Sequence, residues 1–349
     1  MRFYLFFVIV LGGLFFGKAQ ENSTNIILMI GDGMGLTQIS AGMYANNNST
    51  ALEGFEYIGL SKTYAYDQFI TDSAASGTAM ASGVKTYNGV LGIDSKNIPK
   101  KSILEICQEK GYNTALIATS SIAHATPAAF YAKIDSRRKY EDIALQLSEH
   151  NVNLFIGGGE MFFNKREDKR NLLDEMSDYD FVKNLDKLSE SESNKIGYLT
   201  YKEEPPRKLD GRKPALEDMA STSLEKMKSF GKPFFMMIEG SQIDWGGHSN
   251  EMDYVLSEFK EFNTTLQRVL DFAKADGNTL VIVTADHETG GLTLSGGDVE
   301  RSISKGTFST KGHSATMVPV FSYGPNAKLF KGIYENTAIF DKMLESLTK

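Results

Sequence analysis

The chain has 349 residues, of which 41% are hydrophobic and 23% are charged, with 32 glycines, 5 histidines and a single cysteine. This composition is that of a globular protein and excludes a disordered, collagen-like or coiled-coil architecture. One cysteine excludes an intramolecular disulfide and a cysteine-rich zinc site. The net charge of −7 argues against a nucleic-acid partner held by bulk electrostatics, so no nucleic-acid-specific binding is expected.

The first residues have the pattern of a secretory signal peptide. Arg2 precedes an unbroken run of apolar residues and glycines from 3 to 16, and residues 17–19 then include the small residues of a cleavage site. The run is too short for a comfortable membrane span, so we expect residues 1–19 to be removed by cleavage near Ala19. The mature protein is then periplasmic or secreted, without a stable membrane anchor. An uncleaved N-terminal anchor is the alternative.

Short apolar runs alternate with helical patterns along the rest of the chain. The runs show no period-2 alternation, as expected of strands that are buried on both faces. They cover residues 25–30, 113–118, 152–156, 233–238, 279–285 and 318–322. Helical patterns such as 140–147 and 254–273 lie between them. The alternation predicts an α/β fold with a mostly parallel sheet covered by helices.

Residues 20–349 show no internal repeat and no low-complexity linker, which favours a single domain. Residues 161–230 are the most charged stretch and are interrupted by Pro205 and Pro206. We interpret this stretch as a peripheral elaboration with solvated charges.

Polar side chains follow four of the predicted strands. Because ligands of open α/β sheets bind beyond the carboxyl ends of the strands, we expect these side chains to gather at one edge. Imidazole and carboxylate without thiolate suit Zn²⁺, and all-oxygen sets suit Mg²⁺, so the pattern indicates a polynuclear metal site. The residues concerned, in chain order, are Asp32, His124, Thr126, Glu239, Asp244, His248, Asp286 and His287.

Spacing limits how two of these pairs can act. Asp244 and His248 share one face if their segment is helical. Asp286 and His287 can serve one site only where the strand has ended, because neighbouring strand residues point to opposite faces. A capping aspartate beside a surface histidine is the alternative for the second pair alone.

A nucleophile is indicated by the run of small residues from Thr71 to Ala79. Ser73 would lie at the N-terminus of a helix, where free N–H groups favour an anion. A simple helix cap at Asp72 or Ser73 is the alternative. Arg137 offers a guanidinium suited to a tetrahedral oxyanion, although a solvated surface charge is the other explanation.

The glycine-rich segment at residues 31–35 is not a dinucleotide fingerprint. It lacks the final glycine of that motif, and the Asp32 carboxylate would repel a pyrophosphate.

Several segments together resemble the alkaline phosphatase family. They are GDGMG (31–35), TDSAASGTAMASGVKTYNGVLGID (71–94), HATPAAFYAKIDSR (124–137), FIGGGEMFF (155–163), EGSQIDWGGH (239–248) and VTADH (283–287). The motifs stand in the family's order from about Asn25 to the C-terminus. The resemblance implies a three-layer α/β/α sandwich with a large, mostly parallel central sheet. It also implies hydrolysis of phosphate monoesters at alkaline pH through a phosphoserine.

The resemblance further implies two zinc ions and one magnesium ion per subunit. By position, Ser73 matches the serine that is phosphorylated and Arg137 matches the phosphate-binding arginine. The implied ligands are Asp244, His248 and His313 for the first zinc, Asp32, Asp286 and His287 for the second, and Asp32, Thr126 and Glu239 for magnesium. Only the resemblance selects His313, which would otherwise be taken for a loop histidine.

Two positions near the implied phosphate site vary within the family. Some bacterial members carry aspartate at the position of His124 and lysine at that of Trp245, and this chain resembles the subset with His and Trp. An imidazole makes the implied magnesium site more favourable to zinc. Trp245 has no charge, so we expect weaker phosphate binding than a lysine would give. The implied partners are small-molecule phosphate monoesters, and a homodimer is one assembly that the resemblance allows.

Two other functions stay open at this point. One is a phosphodiesterase of the same superfamily, although Ser73 with Thr126, Glu239 and Arg137 argues for monoesters. The other is a secreted protein that binds metal or phosphate without catalysis.

Overall fold

The computed structural model describes residues 23–347, so the expected signal peptide lies outside the described residues. The strands of this part of the chain are β1 Asn25–Gly31, β2 Tyr57–Lys62, β3 Asn113–Ser121, β4 Leu154–Gly158, β5 Asp180–Phe181, β6 Ile196–Leu199, β7 Phe234–Gly240, β8 Thr279–Thr284, β9 Glu288–Thr289, β10 Leu292–Asp298, β11 Ile303–Phe308, β12 His313–Ser314, β13 Val318–Tyr323 and β14 Gly332–Glu335.

The helices alternate with these strands. Those of the described residues are α1 Leu36–Ala45, α2 Ser73–Ser82, α3 Ile103–Glu109, α4 Ala125–Ala128, α5 Tyr140–Glu149, α6 Met161–Asn164, α7 Leu172–Glu175, α8 Leu185–Glu190, α9 Leu216–Ser229, α10 Gln242–Ser249, α11 Met252–Asp276 and α12 Thr337–Ser346. Short 3₁₀ helices lie at Ala51–Gly54, Lys208–Asp210 and Ala327–Phe330.

A ten-stranded sheet forms the centre of the molecule, in the order β14-β2-β13-β8-β1-β7-β3-β4-β6-β5. Its strands run parallel except β13, which is antiparallel to both β2 and β8. The predicted α/β fold with a mostly parallel sheet is therefore confirmed. Two small ribbons, β10-β11 and β9-β12, lie outside the main sheet.

Helices cover both faces of the sheet, which makes three layers. Successive residues of β1 show this, because Ile26 and Leu28 belong to one core while Ile27 and Met29 belong to the other. The first core includes buried residues of α2, α3, α5 and α12, and the second includes buried residues of α1, α9, α10 and α11. Full burial on both faces explains why the strands read as continuous apolar runs.

The predicted helix and strand positions agree with the structure within a few residues. The run at 25–30 is β1, the run at 233–238 lies within β7 apart from its first residue, and the pattern at 254–273 lies within α11. Residues 161–230 add β5 and β6 to one edge of the sheet and place α9 on one of its faces. Their interpretation as a peripheral elaboration of a single domain stays a prediction.

None of the helices between residues 23 and 347 is both long enough and apolar enough to cross a membrane.

The contact between α1 and α11 provides a test of the packing. A Cβ added at Gly42 in α1 would lie 1.9 Å from Cδ1 of the buried Phe259 ring in α11. Because close-packed cores tolerate overpacking poorly, Gly42→Ala should lower the free energy of unfolding by about 1–3 kcal/mol. Urea denaturation measures this. Ser40→Ala, in the same helix, is the control and should change stability by less than about 0.5 kcal/mol. Equal stability of the two variants would contradict the packing described.

Candidate active site and metal centre

The polar residues predicted from the sequence meet at the carboxyl ends of four neighbouring strands, β8, β1, β7 and β3. Asp32 directly follows β1, and Glu239 lies at the end of β7. Asp286 lies two residues beyond β8, so the strand has ended before Asp286 and His287. Both side chains can therefore face the same site, as predicted for this pair. His124 follows β3 and directly precedes α4.

A first group of ligand atoms forms around α10. This segment is helical, so Asp244 and His248 share a face, and Nε2 of His248 lies 3.3 Å from Oδ2 of Asp244. His313 completes the group, with its Nε2 3.1 Å from Nε2 of His248 and 3.5 Å from Oδ1 of Asp244. The hydrogen bond to Asp244 raises the pKa of His248 to about 9.

The short ribbon β9-β12 explains how His313 reaches this group. His313 pairs with Thr289, two residues after His287, so the chain returns to the site after the β10-β11 hairpin. The His313 ring stacks on His287 with centroids 3.5 Å apart, and its Nδ1 lies 2.8 Å from the carbonyl oxygen of Thr71. One ring nitrogen is therefore held by backbone while Nε2 faces the group, as is usual for a metal-bound histidine.

A second group surrounds His287. Its Nε2 lies 3.0 Å from Oδ2 of Asp286, 3.6 Å from Oδ1 of Asp32 and 3.3 Å from Oγ of Ser73. Ser73 is the first residue of α2, where the sequence predicted it. Ser76, one turn further, donates to the backbone oxygen of Asp286 and so ties α2 to the loop after β8.

A third group lies between β1, β3 and β7. Ligand atoms of Asp32, His124 and Glu239 come within 4.8 Å of one another. The Thr126 hydroxyl donates to Oδ2 of Asp32 at 3.3 Å, and the Ser120 hydroxyl donates to Oε2 of Glu239 at 3.3 Å. All five side chains are buried.

Arg137 lies beside the start of α2. Its Nη1 donates to Oδ2 of Asp72 at 3.1 Å, and its Nη2 lies 3.3 Å from Nε2 of His124. Asp72 also caps α2, because its Oδ1 accepts from the N–H of Ala75. Burial alone would lower the pKa of Arg137, but the Asp72 carboxylate raises it above its ordinary value. Arg138 makes no such contact: among the described residues its side chain has no ion pair.

His124 links Arg137 to Trp245. The His124 and Trp245 rings meet edge to face, with centroids 5.9 Å apart. Burial and then the nearby Arg137 lower the pKa of His124 to about 3, so its imidazole is neutral. Its Nδ1 finds no hydrogen-bond partner within residues 23–347.

The buried carboxylates of the site repel one another. Burial, followed by the charges of Asp286, Asp244 and Glu239, raises the pKa of Asp32 well above its ordinary value. Burial likewise raises the pKa of Glu239 to about 8. In the described part of the chain, Oδ1 of Asp32, Oε1 of Glu239 and Oδ2 of Asp286 lack a hydrogen-bond partner. Buried acceptors of this kind are costly unless something binds them.

These atoms fit divalent cations. Three groups have ligand atoms within 4.8 Å of one another, namely Asp244 with His248 and His313, Asp32 with Asp244 and His287, and Asp32 with His124 and Glu239. Imidazole nitrogens and carboxylate oxygens without thiolates are the donors expected of zinc and magnesium.

The structure brings together every side chain that the sequence selected, including His313 and Trp245. Sequence reasoning did not select the side chains that hold these residues in place. Thr289 donates to Oδ1 of Asp244, Ser120 contacts Glu239, and Gln38 contacts Glu288. Single polar residues of this kind carry no spacing signal that could have identified them.

Comparisons with known proteins identify the family of this chain. The sequence model of the family described as alkaline phosphatase matches residues 23–305. Alkaline phosphatase 4 of Bacillus subtilis (strain 168) is 35% identical over 351 residues, covering 95% of this chain and 76% of that protein. Alkaline phosphatase 3 of the same organism is 31% identical over 417 residues, covering 94% and 90%. The structure of the alkaline phosphatase from the Antarctic bacterium TAB5 is 40% identical, with a TM-score of 0.88, and the match covers 93% of this chain and 98% of that one.

The fold and the site together define a protein of the α/β/α sandwich class with candidate metal-binding groups. The matches carry the assignment one step further. This chain belongs to the alkaline phosphatase family, and it is an enzyme of that family. The resemblance drawn from the sequence motifs is therefore confirmed.

The raised pKa of Glu239 predicts how the chelator-treated protein responds to pH. From the ordinary value of 4.5 to about 8, folded Glu239 keeps a proton that the unfolded chain has lost. The folded state then binds more protons, so this group lowers the free energy of unfolding as pH rises. Glu239→Gln should therefore gain stability relative to the wild type between pH 4.5 and 8, as measured by urea denaturation. The exposed control Glu53→Gln should gain less, and an equal response would refute the prediction.

Proposed function

We propose that this protein hydrolyses phosphate monoesters to an alcohol and inorganic phosphate through a phosphoserine at Ser73, with an alkaline pH optimum. The observation that carries the proposal is the position of the Ser73 hydroxyl. It lies at the N-terminus of α2, 3.3 Å from Nε2 of His287, and the residue before it, Asp72, accepts a hydrogen bond from the Arg137 guanidinium. Helix N-termini and guanidinium groups both favour a phosphoryl group.

Two zinc ions and one magnesium ion fit the residues of the site. The proposed ligands are Asp244, His248 and His313 for one zinc, Asp32, Asp286 and His287 for the other, and Asp32, Thr126 and Glu239 for magnesium. The unpartnered oxygens of Asp32, Glu239 and Asp286 support this assignment, because a cation would satisfy them. When bound, such ions stabilise the attacking and leaving oxygens and lower the pKa of a nearby hydroxyl.

Ser73 and Arg137 have distinct roles in the proposed reaction. The Ser73 oxygen attacks phosphorus in line with the leaving group while its hydroxyl proton passes to solvent, and the departing alkoxide takes up a proton to become the alcohol. Arg137 binds two non-bridging oxygens in bidentate fashion. Asp72 keeps Arg137 directed at this position through its hydrogen bond. A water molecule then attacks the phosphoserine from the opposite side, and the two displacements together retain the configuration at phosphorus.

A groove of about 380 Å³ opens next to Arg137 and is lined by polar side chains, among them Asp72, Asn88 and Asp135. Neither Ser73 nor a proposed metal ligand lines this groove, so small-molecule monoesters are proposed as the class of substrate from the family resemblance.

We also propose a cellular location and an oligomeric state for the protein. The pattern of residues 1–19 supports secretion to the periplasm or the medium, with cleavage near Ala19. A homodimer stays a prediction from the family resemblance.

Replacing the nucleophile tests the proposed reaction. Ser73→Ala should lower kcat for a nitrophenyl phosphate monoester by at least about a thousandfold, because the covalent step is lost. Ser82→Ala, at the other end of α2, is the control and should keep most of the activity. Chelation should abolish wild-type turnover, and zinc with magnesium should restore it. Faster hydrolysis of the matching diester would indicate a phosphodiesterase. Phosphate binding without turnover of either ester would indicate a binding protein.

Trp245 provides a test of phosphate affinity. Replacing its neutral ring by lysine adds a positive charge close to His124 and Arg137, so Trp245→Lys should lower the inhibition constant of inorganic phosphate several-fold. Trp245→Met removes the ring without adding charge and is the matched control. An inhibition constant that is the same in both variants would contradict the role given to charge at this position.

A further inference from the structure

One buried carboxylate beside the site belongs to none of the three ligand groups. Glu288, in β9, is only 3% exposed. Its Oε1 accepts from Nε2 of Gln38 at 2.7 Å and from the N–H of Leu292 at 3.1 Å. Its Oε2 accepts from the N–H of Gly291 at 3.2 Å and from the hydroxyl of Ser314. Four donors therefore converge on one side chain.

Hydrogen bonds alone compensate the burial of this carboxylate. Between residues 23 and 347, no lysine, arginine or histidine lies within ion-pair distance of Glu288. A carboxyl group is costly to bury unless it is well bonded, and the four donors satisfy both of its oxygens. The donors come from three separate segments, namely α1, residues 291–292 at the start of the β10-β11 hairpin, and β12. Glu288 thus fastens these segments to one another.

The connection to β12 bears directly on the metal site. Ser314, which donates to Glu288, is the residue after His313, and these two residues are the whole of β12. The chain between β9 and β12 makes a long excursion through the β10-β11 hairpin before it returns. Closing a flexible loop costs entropy, and the pairing of β9 with β12 that closes this excursion spans only two residues. The bond from Ser314 to Glu288 adds an anchor next to His313.

The α1 side of the contact is equally specific. Nε2 of Gln38 also donates to the backbone oxygen of Thr289 at 2.8 Å, so one side chain holds both residues of β9. Gly35 leaves the room that Glu288 needs, since a Cβ at Gly35 would lie 2.3 Å from Cγ of Glu288. The arrangement is therefore built around this side chain.

We infer that Glu288 is a positioning residue for the first ligand group. Together with Gln38 and Ser314, it sets where the His313 imidazole stands relative to Asp244 and His248. The inference rests on the proposed role of His313 as a zinc ligand. Groups that orient metal ligands typically change metal affinity by about 10–100-fold when they are removed.

The experiment measures zinc dissociation constants by competition with a chromogenic chelator. Ser314→Ala removes one donor to Glu288 and should weaken one of the bound zinc ions about 10-fold. Ser295→Ala, a hydroxyl of the β10-β11 hairpin that contacts Thr307 instead, is the control and should bind zinc as the wild type does. Because Glu288 only positions a ligand, saturating zinc should restore kcat in Ser314→Ala to that of the control.

Glu288→Gln gives the larger effect. The amide places an NH₂ group either against the donors of Gln38 and Leu292 or against the N–H of Gly291, so zinc affinity should fall by up to about 100-fold. If this variant does not fold, Ser314→Ala decides the question alone. Equal zinc affinity in Ser314→Ala and Ser295→Ala, or a loss of kcat that saturating zinc does not restore, overturns the inference. His313→Ala is the reference: if it binds zinc as the wild type does, the proposed ligand set fails instead.

Discussion

The structure depends on how it buries several like charges at one edge of the sheet. Asp32, Glu239, Asp244 and Asp286 are all buried at the carboxyl ends of the strands. Their burial and mutual repulsion raise the pKa of Asp32, and burial raises that of Glu239. Such a group of carboxylates is stable only with nearby positive charge or good hydrogen bonds. Arg137 supplies part of that charge, and divalent cations would supply the rest.

The topology of the sheet brings these carboxylates together at one edge. β1 lies between β7 and β8, and all three run in the same direction, so the residues that follow them emerge at one edge. α2 then brings the Ser73 hydroxyl to this edge, and the loop after α4 brings Arg137. The His313 imidazole of the first group reaches this edge by a different route. His313 reaches the edge through the β9-β12 ribbon, which lies outside the main sheet.

This difference explains what could be predicted from the sequence. Asp32, Glu239 and Asp286 follow or end apolar runs, and a parallel sheet brings the ends of such runs together, so their convergence could be derived from pattern alone. Asp244 and His248 needed only helical spacing. His313 follows no strand of the main sheet and has no ligand at helical spacing, so only the family resemblance identified it. The contacts of Thr289, Gln38 and Glu288 depend on tertiary packing, which no local pattern encodes.

The packing of the glycine-rich segment after β1 explains why this segment resembles a dinucleotide fingerprint without being one. Gly33 has φ of +73°, and a Cβ there would lie 2.6 Å from the backbone of Asp244. The N–H of Gly33 donates to Oδ1 of Asp286 at 3.1 Å. Gly33 therefore lets the loop after β1 lie directly against α10 while it binds the loop after β8. Glycines that resemble a dinucleotide fingerprint thus bring Asp244 and Asp286 close to Asp32. Gly35 makes room for Glu288, which accepts the hydrogen bond from Ser314 of β12.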